Sequence, residues 1–183
     1  MDNAWKKINK RYKLSKTAKS KIECLLNFCK YYNLNNQIQD KVLGYYEHHL
    51  AHPYVFDSDV KYDLIVDDDY GNRLVMKLML KKYNQKFDFA QNGLEALEKI
   101  LMLSSVEGQH HHYLWIDIKM PYIQGDCLID LLRTFFDYTK PIYAVTAYSD
   151  EGSRNKYLQI GVNGIINKPI DIADIETALK KID

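Results

Sequence analysis

Asp67, Asp68, Asp117, Thr146 and Lys168 each stand at the end of a short apolar run. Together they are three carboxylates, a hydroxyl and an ammonium. Like charges about 4 Å apart repel by roughly 4 kcal/mol at an effective dielectric near 20, so three gathered carboxylates call for a cation. Hard oxygen donors suit Mg²⁺, which keeps several waters and accepts phosphate oxygens in their place. The hydroxyl and the ammonium are the donors that an added phosphoryl group requires. No Gly-rich phosphate cradle is evident, nor any Ser/His/Asp or Cys/His arrangement, so nucleotide hydrolysis and acyl transfer lack their parts. The set is equipped to take a phosphoryl group onto a carboxylate.

Such a site works only if the fold brings the five residues together. Tyr62 to Val66, Lys86 to Ala90, Tyr113 to Asp117, Pro141 to Val145 and Val162 to Asn167 read as strands, short and rich in β-branched and aromatic residues. Helical spacing follows each: Leu74 to Leu80, Gly93 to Leu103, Gly125 to Phe135, the polar Asp150 to Gln159, and Ile172 to Ile182. Five strands alternating with five helices imply an α/β fold with a doubly wound parallel sheet and right-handed crossovers. In such a sheet the C-terminal strand ends share one edge, where ligands bind. All five candidate residues fall there.

The segments Ile65-Val-Asp-Asp68, Asn92-Gly-Leu-Glu-Ala96, Ile116-Asp-Ile-Lys-Met-Pro121 with Gly125, Ala144-Val-Thr-Ala147 and Asn167-Lys-Pro-Ile170 together resemble a response regulator receiver domain of two-component phosphorelay signalling. The forms Asp-Ile-Lys-Met-Pro and Asn-Lys-Pro-Ile are most similar to receivers of hybrid histidine kinases. The resemblance implies a flavodoxin-like (βα)5 fold with strand order 2-1-3-4-5. It implies Asp117 as phosphoacceptor, with Thr146 and Lys168 gripping the phosphoryl oxygens. Mg²⁺ would be held by Asp67, Asp68, Asp117 and the main-chain carbonyl of Lys119. The expected partner is a histidine kinase or a histidine phosphotransfer protein, and the expected activity is self-phosphorylation with slow self-dephosphorylation. Lys119 and Tyr148 would shield the acyl phosphate from water. The family's switch position, three residues before the lysine, is usually Tyr or Phe; here it is Ile165, which puts an aromatic read-out in doubt. Homodimerisation through the last receiver helices is a further implication.

Two parts are expected within the 183 residues: a basic, helical extension over 1–58 and the receiver over 59–183. The first carries ten Lys and Arg against five Asp and Glu, the second 15 against 19. Helical spacing over Ile22 to Cys29 and Ile38 to Tyr46 predicts two helices joined by an Asn-rich turn. The lysine-rich residues 1–21 offer a weak claim on nucleic acid or a membrane, the bland reading being a solvated arm. His48, His49 and His52 read as exposed histidines at a helix end, and His110 to His112 as a solvated loop. Cys24, Cys29 and Cys127 have no metal-ligand spacing and are expected as reduced thiols in a cytoplasmic protein. No apolar stretch is long enough to span a bilayer. With Asp183 directly after the last helix, output is expected through the basic arm, a partner or onward phosphotransfer.

Overall fold

A computed structural model describes residues 62–83, 86–104, 110–147 and 150–180, with isolated helical positions between Glu23 and Gly44. Strands β1 (Tyr62–Val66), β2 (Lys86–Ala90), β3 (Leu114–Asp117), β4 (Ile142–Thr146) and β5 (Gly164–Asn167) form one parallel sheet in the order β2-β1-β3-β4-β5. Helices α1 (Tyr70–Leu80), α2 (Gly93–Ser104), α3 (Gly125–Phe135), α4 (Glu151–Gln159) and α5 (Ile172–Lys180) complete the alternation. The flavodoxin-like order expected from the sequence is the order observed. β3 and β4 are buried along their whole length, as parallel strands covered on both faces must be.

Two apolar layers flank the sheet. One joins Leu64, Val66, Leu114 and Ile116 to α2 and α3, and the other joins Ile65, Trp115, Tyr143 and Val145 to α1 and α5. In the second layer Trp115 and Tyr143 stack with ring centroids 4.9 Å apart, and the Tyr143 hydroxyl donates to the Ala178 carbonyl of α5 at 2.6 Å. Arg133 closes the C-terminal end of α3. Its guanidinium donates to the carbonyls of Tyr138, Lys140 and Gly161 and to Asn163 Oδ1, tying the β5 approach to α3.

The edge opposite the candidate site holds ionisable groups that the sequence reading treated as ordinary strand or loop. His111 is buried, which corrects the expectation of a solvated His110 to His112 loop; only His110 is exposed. The His111 Nε2 lies 3.7 Å from Asp88 Oδ2, and the His111 carbonyl accepts from the buried Tyr138 hydroxyl. Asp88 is only half-buried; burial raises its carboxyl, but His111 and Lys99 outweigh that and hold it down at about 2. Alternation in β2 hid this group, because Asp88 looked like a solvent-facing position.

Asp63 is fully buried in β1, and its Oδ2 accepts the Trp115 indole N–H at 3.1 Å. Burial pushes its carboxyl up to about 7 against the pull of that hydrogen bond. The folded chain therefore keeps a proton that the unfolded chain releases near pH 4, and stability falls as pH rises from about 4 to 7. Asp63→Asn keeps the acceptor for Trp115 and removes the loss. Urea unfolding should show the two proteins alike near pH 4 and the variant more stable at pH 8 by roughly 2–4 kcal/mol. A difference independent of pH would contradict this assignment.

Candidate functional site

β1 ends one residue before Asp67, whose N–H donates to the Ala90 carbonyl at the end of β2. Asp117 is the last residue of β3 and stands opposite Val145 of β4, one residue before Thr146. Thr146 in turn pairs with Asn167, and its carbonyl accepts the Lys168 N–H at 2.8 Å. Register alone thus delivers the expected residues to one edge. Asp67, Asp117 and Thr146 are buried, Lys168 is half-buried and Asp68 is exposed.

The Lys168 ammonium bridges the two buried acids, with Nζ 2.7 Å from Asp67 Oδ2 and 2.9 Å from Asp117 Oδ2. Burial alone would lower its pKa, but the two carboxylates outweigh that and hold it above the ordinary lysine value. The Asp117 carboxyl is also held above its ordinary value: burial raises it and the Asp67 charge adds to the rise, while Lys168 and the Lys119 N–H, 3.4 Å from Oδ1, oppose it. One ammonium does not compensate three acids.

Asp67, Asp68 and Asp117 each present a carboxylate oxygen within 4.8 Å of the others. The donor set is all hard oxygen, carries excess negative charge and is open to solvent on the Asp68 side. It fits a divalent cation of the Mg²⁺ type. The same chemistry allows the Lys119 carbonyl as a further donor. The Lys119 side chain is exposed, and Tyr148 lies outside the described residues, as do His48, His49, His52, Cys24 and the basic residues 1–21. Cys29 and Cys127 are free thiols. Ile165 is half-buried and packs against the apolar layer of α2 and α3; it offers no polar tip.

Sequence reasoning missed the residues that orient Asp67. Asp69 caps α1, its side chain accepting the Asn72 N–H at 2.9 Å. The Asp69 N–H and Asn72 Nδ2 donate to Asp67 Oδ1 at 2.9 and 3.1 Å, and Arg73 donates to the Asp67 carbonyl at 2.5 Å. A capping residue followed by a polar side chain three positions on was the signal for this first turn. Beyond β3, Gly125 is required by space: a Cβ there would lie 2.1 Å from the Asp117 carbonyl oxygen. Tyr122, between the two, takes a left-handed φ of 66°, which costs a non-glycine residue on the order of 1 kcal/mol.

Excess charge at a buried edge weakens the fold when no cation is present. Asp117→Asn should therefore raise the thermal midpoint in a chelator at neutral pH by roughly 2–4 °C, on the order of 1 kcal/mol for a chain of this size. Mg²⁺ should raise the midpoint of the unaltered chain more than that of Asp68→Ala. A lower midpoint for Asp117→Asn would show that the carboxylate stabilises the fold.

Comparison with known proteins agrees with this geometry. The response regulator receiver domain family matches residues 64–180. The osmosensing histidine protein kinase SLN1 of Saccharomyces cerevisiae is 32% identical over 117 residues, covering 63% of this chain and 10% of SLN1. The sensor protein EvgS of Escherichia coli is 33% identical over 119 residues, covering 65% of this chain and 9% of EvgS. The chain thus spans about a tenth of the length of these relatives. Among solved structures, the receiver domain of a Pseudomonas aeruginosa sensor histidine kinase, with a magnesium ion coordinated in its active-site cleft, is 25% identical. It aligns with a TM-score of 0.55 over 67% of this chain and 96% of that one. Chemotaxis protein CheY4 of Vibrio cholerae shares the fold at 19% identity, with a TM-score of 0.56 over 68% of this chain and 99% of that one. Sheet order, acidic edge and family match converge, and the chain belongs to the response regulator receiver domain family.

Proposed function

We propose that the chain accepts a phosphoryl group from a phosphohistidine onto Asp117 and signals by the conformational change that follows. The observation that carries this reading is the Lys168 ammonium poised between Asp67 and Asp117. In the transfer a carboxylate oxygen of Asp117 attacks phosphorus, the P–N bond to the imidazole breaks as the P–O bond forms, and the imidazole leaves with the electron pair. Lys168 Nζ, already beside Asp117, is placed to bind a phosphoryl oxygen. Thr146, one register step from Asp117 on the neighbouring strand, brings a hydroxyl to the same edge.

Mg²⁺ is the proposed cation, with Asp67, Asp68, Asp117 and the Lys119 carbonyl as ligands; when bound it supplies charge neutralisation for the phosphoryl oxygens. The chain's own residues do the rest. Asp69, Asn72 and Arg73 hold Asp67 in place, and Lys119 N–H orients Asp117. A protein donor, a histidine kinase or a histidine phosphotransfer protein, is supported by α1. That helix starts beside the carboxylates and exposes Tyr70, Leu74, Val75 and Leu78, an apolar surface next to the chemistry. Self-phosphorylation from small acyl phosphates and slow self-dephosphorylation belong to the same proposal, as does a cytoplasmic setting. No described helix is long and apolar enough to cross a membrane.

Incubation with acetyl phosphate and Mg²⁺ should add one phosphoryl group by intact mass. The gain should vanish with chelator and in Asp117→Asn, and fall at least about tenfold in rate in Lys168→Ala. An unchanged mass would instead favour a docking module that works without phosphorylation. The acyl phosphate, shielded by Lys119, should last well beyond seconds, and Lys119→Ala should shorten it. A wild-type lifetime of only seconds in Mg²⁺ would rule out shielding.

A further inference from the structure

Helix α2 is covered more fully than the sheet explains. At 100° per residue its buried apolar positions Leu94, Leu101, Leu97, Ile100, Ala96 and Leu103 run round half its circumference. None of its described residues is exposed; even Glu95, Glu98 and Lys99 are only half-exposed. A helix on one face of a sheet ordinarily turns its outer side to water. The side reached by Ala96 and Leu103, 0% and 2% exposed, is covered instead.

The same apolar layer contains residues from far earlier in the chain. Cys29 and Leu43, 1% and 6% exposed, belong to the cluster that holds Ala96 and Ile100, and Leu26 packs against it. Gln39 is buried as well, whereas Glu23, Asn27, Lys30, Asn36, Asp40 and Gly44 are exposed. These positions are helical, and their burial is one-sided, with helical intervals between the buried residues. Burial also pushes the Cys29 thiol up to about 11.

Helix α2 in turn abuts the loop that follows the acceptor. Its first residue, Gly93, is so close to that loop that a Cβ would lie 2.3 Å from the Ile123 carbonyl oxygen. Ile123 is buried between Asp117 and Gly125, and the Gly125 N–H donates to the Ile118 carbonyl at 2.9 Å. There is no slack in this contact, so a rearranged acceptor loop displaces the start of α2.

We infer that the segment carrying Leu26, Cys29, Gln39 and Leu43 is an intramolecular docking element seated on the outer flank of α2, and that phosphorylation of Asp117 loosens it through the Ile123–Gly93 contact. The coupling half rests on the phosphoacceptor reading; the docking half does not. Since Cys29 is already almost inaccessible, a change in docking can only expose it. Output then leaves through the N-terminal segment, consistent with an Ile165 that offers no polar ring.

The test follows thiol labelling of Cys29 in full-length chain carrying Cys24→Ser and Cys127→Ser, with phosphoryl uptake followed in parallel by intact mass. Labelling by a maleimide should be slow in the unmodified protein. It should become about tenfold faster in the fraction carrying a phosphoryl group after acetyl phosphate and Mg²⁺. Asp117→Asn should stay slow under the same treatment. Leu43→Ser should label fast without acetyl phosphate while still gaining one phosphoryl group. Labelling of the unmodified protein as fast as in urea overturns docking. Equal rates with and without a bound phosphoryl group overturn the coupling. A chain that gains no phosphoryl group overturns both the phosphoacceptor reading and the coupling, while slow labelling that Leu43→Ser accelerates would still establish docking.

Discussion

The contact on which the site depends is the pair of ion pairs from Lys168 Nζ to Asp67 and Asp117, at 2.7 and 2.9 Å. Without that ammonium, two buried carboxylates would face one another at a sheet edge with Asp68 close by, an arrangement that costs several kcal/mol. With it, the edge still carries more negative than positive charge, an excess that suits a hard divalent cation. The parallel sheet makes the arrangement possible. Every strand delivers its C-terminal end to the same side, so residues as far apart in sequence as Asp67 and Lys168 meet without a dedicated loop to carry them.

Much of this is legible in the sequence. Alternation of strand and helix patterns gave five strands and five helices, and the polar residue at each strand end marked the edge where they converge. Strand boundaries shifted by a residue or two, β3 beginning at Leu114 rather than Tyr113 and β5 at Gly164 rather than Val162, while α1 begins at Tyr70, four residues before its first apolar marker Leu74. Asp150, expected inside the fourth helix, caps it by accepting from the Ser153 N–H. Strand and helix ends are set by caps and turns, which leave a weaker trace than apolar periodicity.

What stayed hidden were contacts between residues of opposite reputation. Asp63 and His111 look like surface residues by type, yet Asp63 is buried against the Trp115 indole N–H and His111 is buried beside Asp88, a half-buried acid that Lys99 also contacts. No periodicity announces such partners, because they depend on which strand neighbours which. Asn72 and Arg73 were hidden for a similar reason: they serve Asp67 from the first turn of α1, and a helical pattern read for its apolar face passes over them. The broad burial of α2 stayed hidden as well: helical spacing marked one apolar face, and the sequence does not say what covers Ala96 and Leu103 beyond it.

The account joins a charged edge, a loop packed without slack against α2, and a segment from the start of the chain in that helix's apolar layer. Its central claim is that Asp117, and no other carboxylate of the edge, receives the phosphoryl group. Borohydride reduction of the freshly phosphorylated chain, followed by peptide sequencing by mass, tests this most directly, since reduction converts an aspartyl phosphate to homoserine. The account predicts homoserine at position 117 alone. Homoserine at position 67 or 68, or phosphate found on a hydroxyl or a histidine instead, would contradict it.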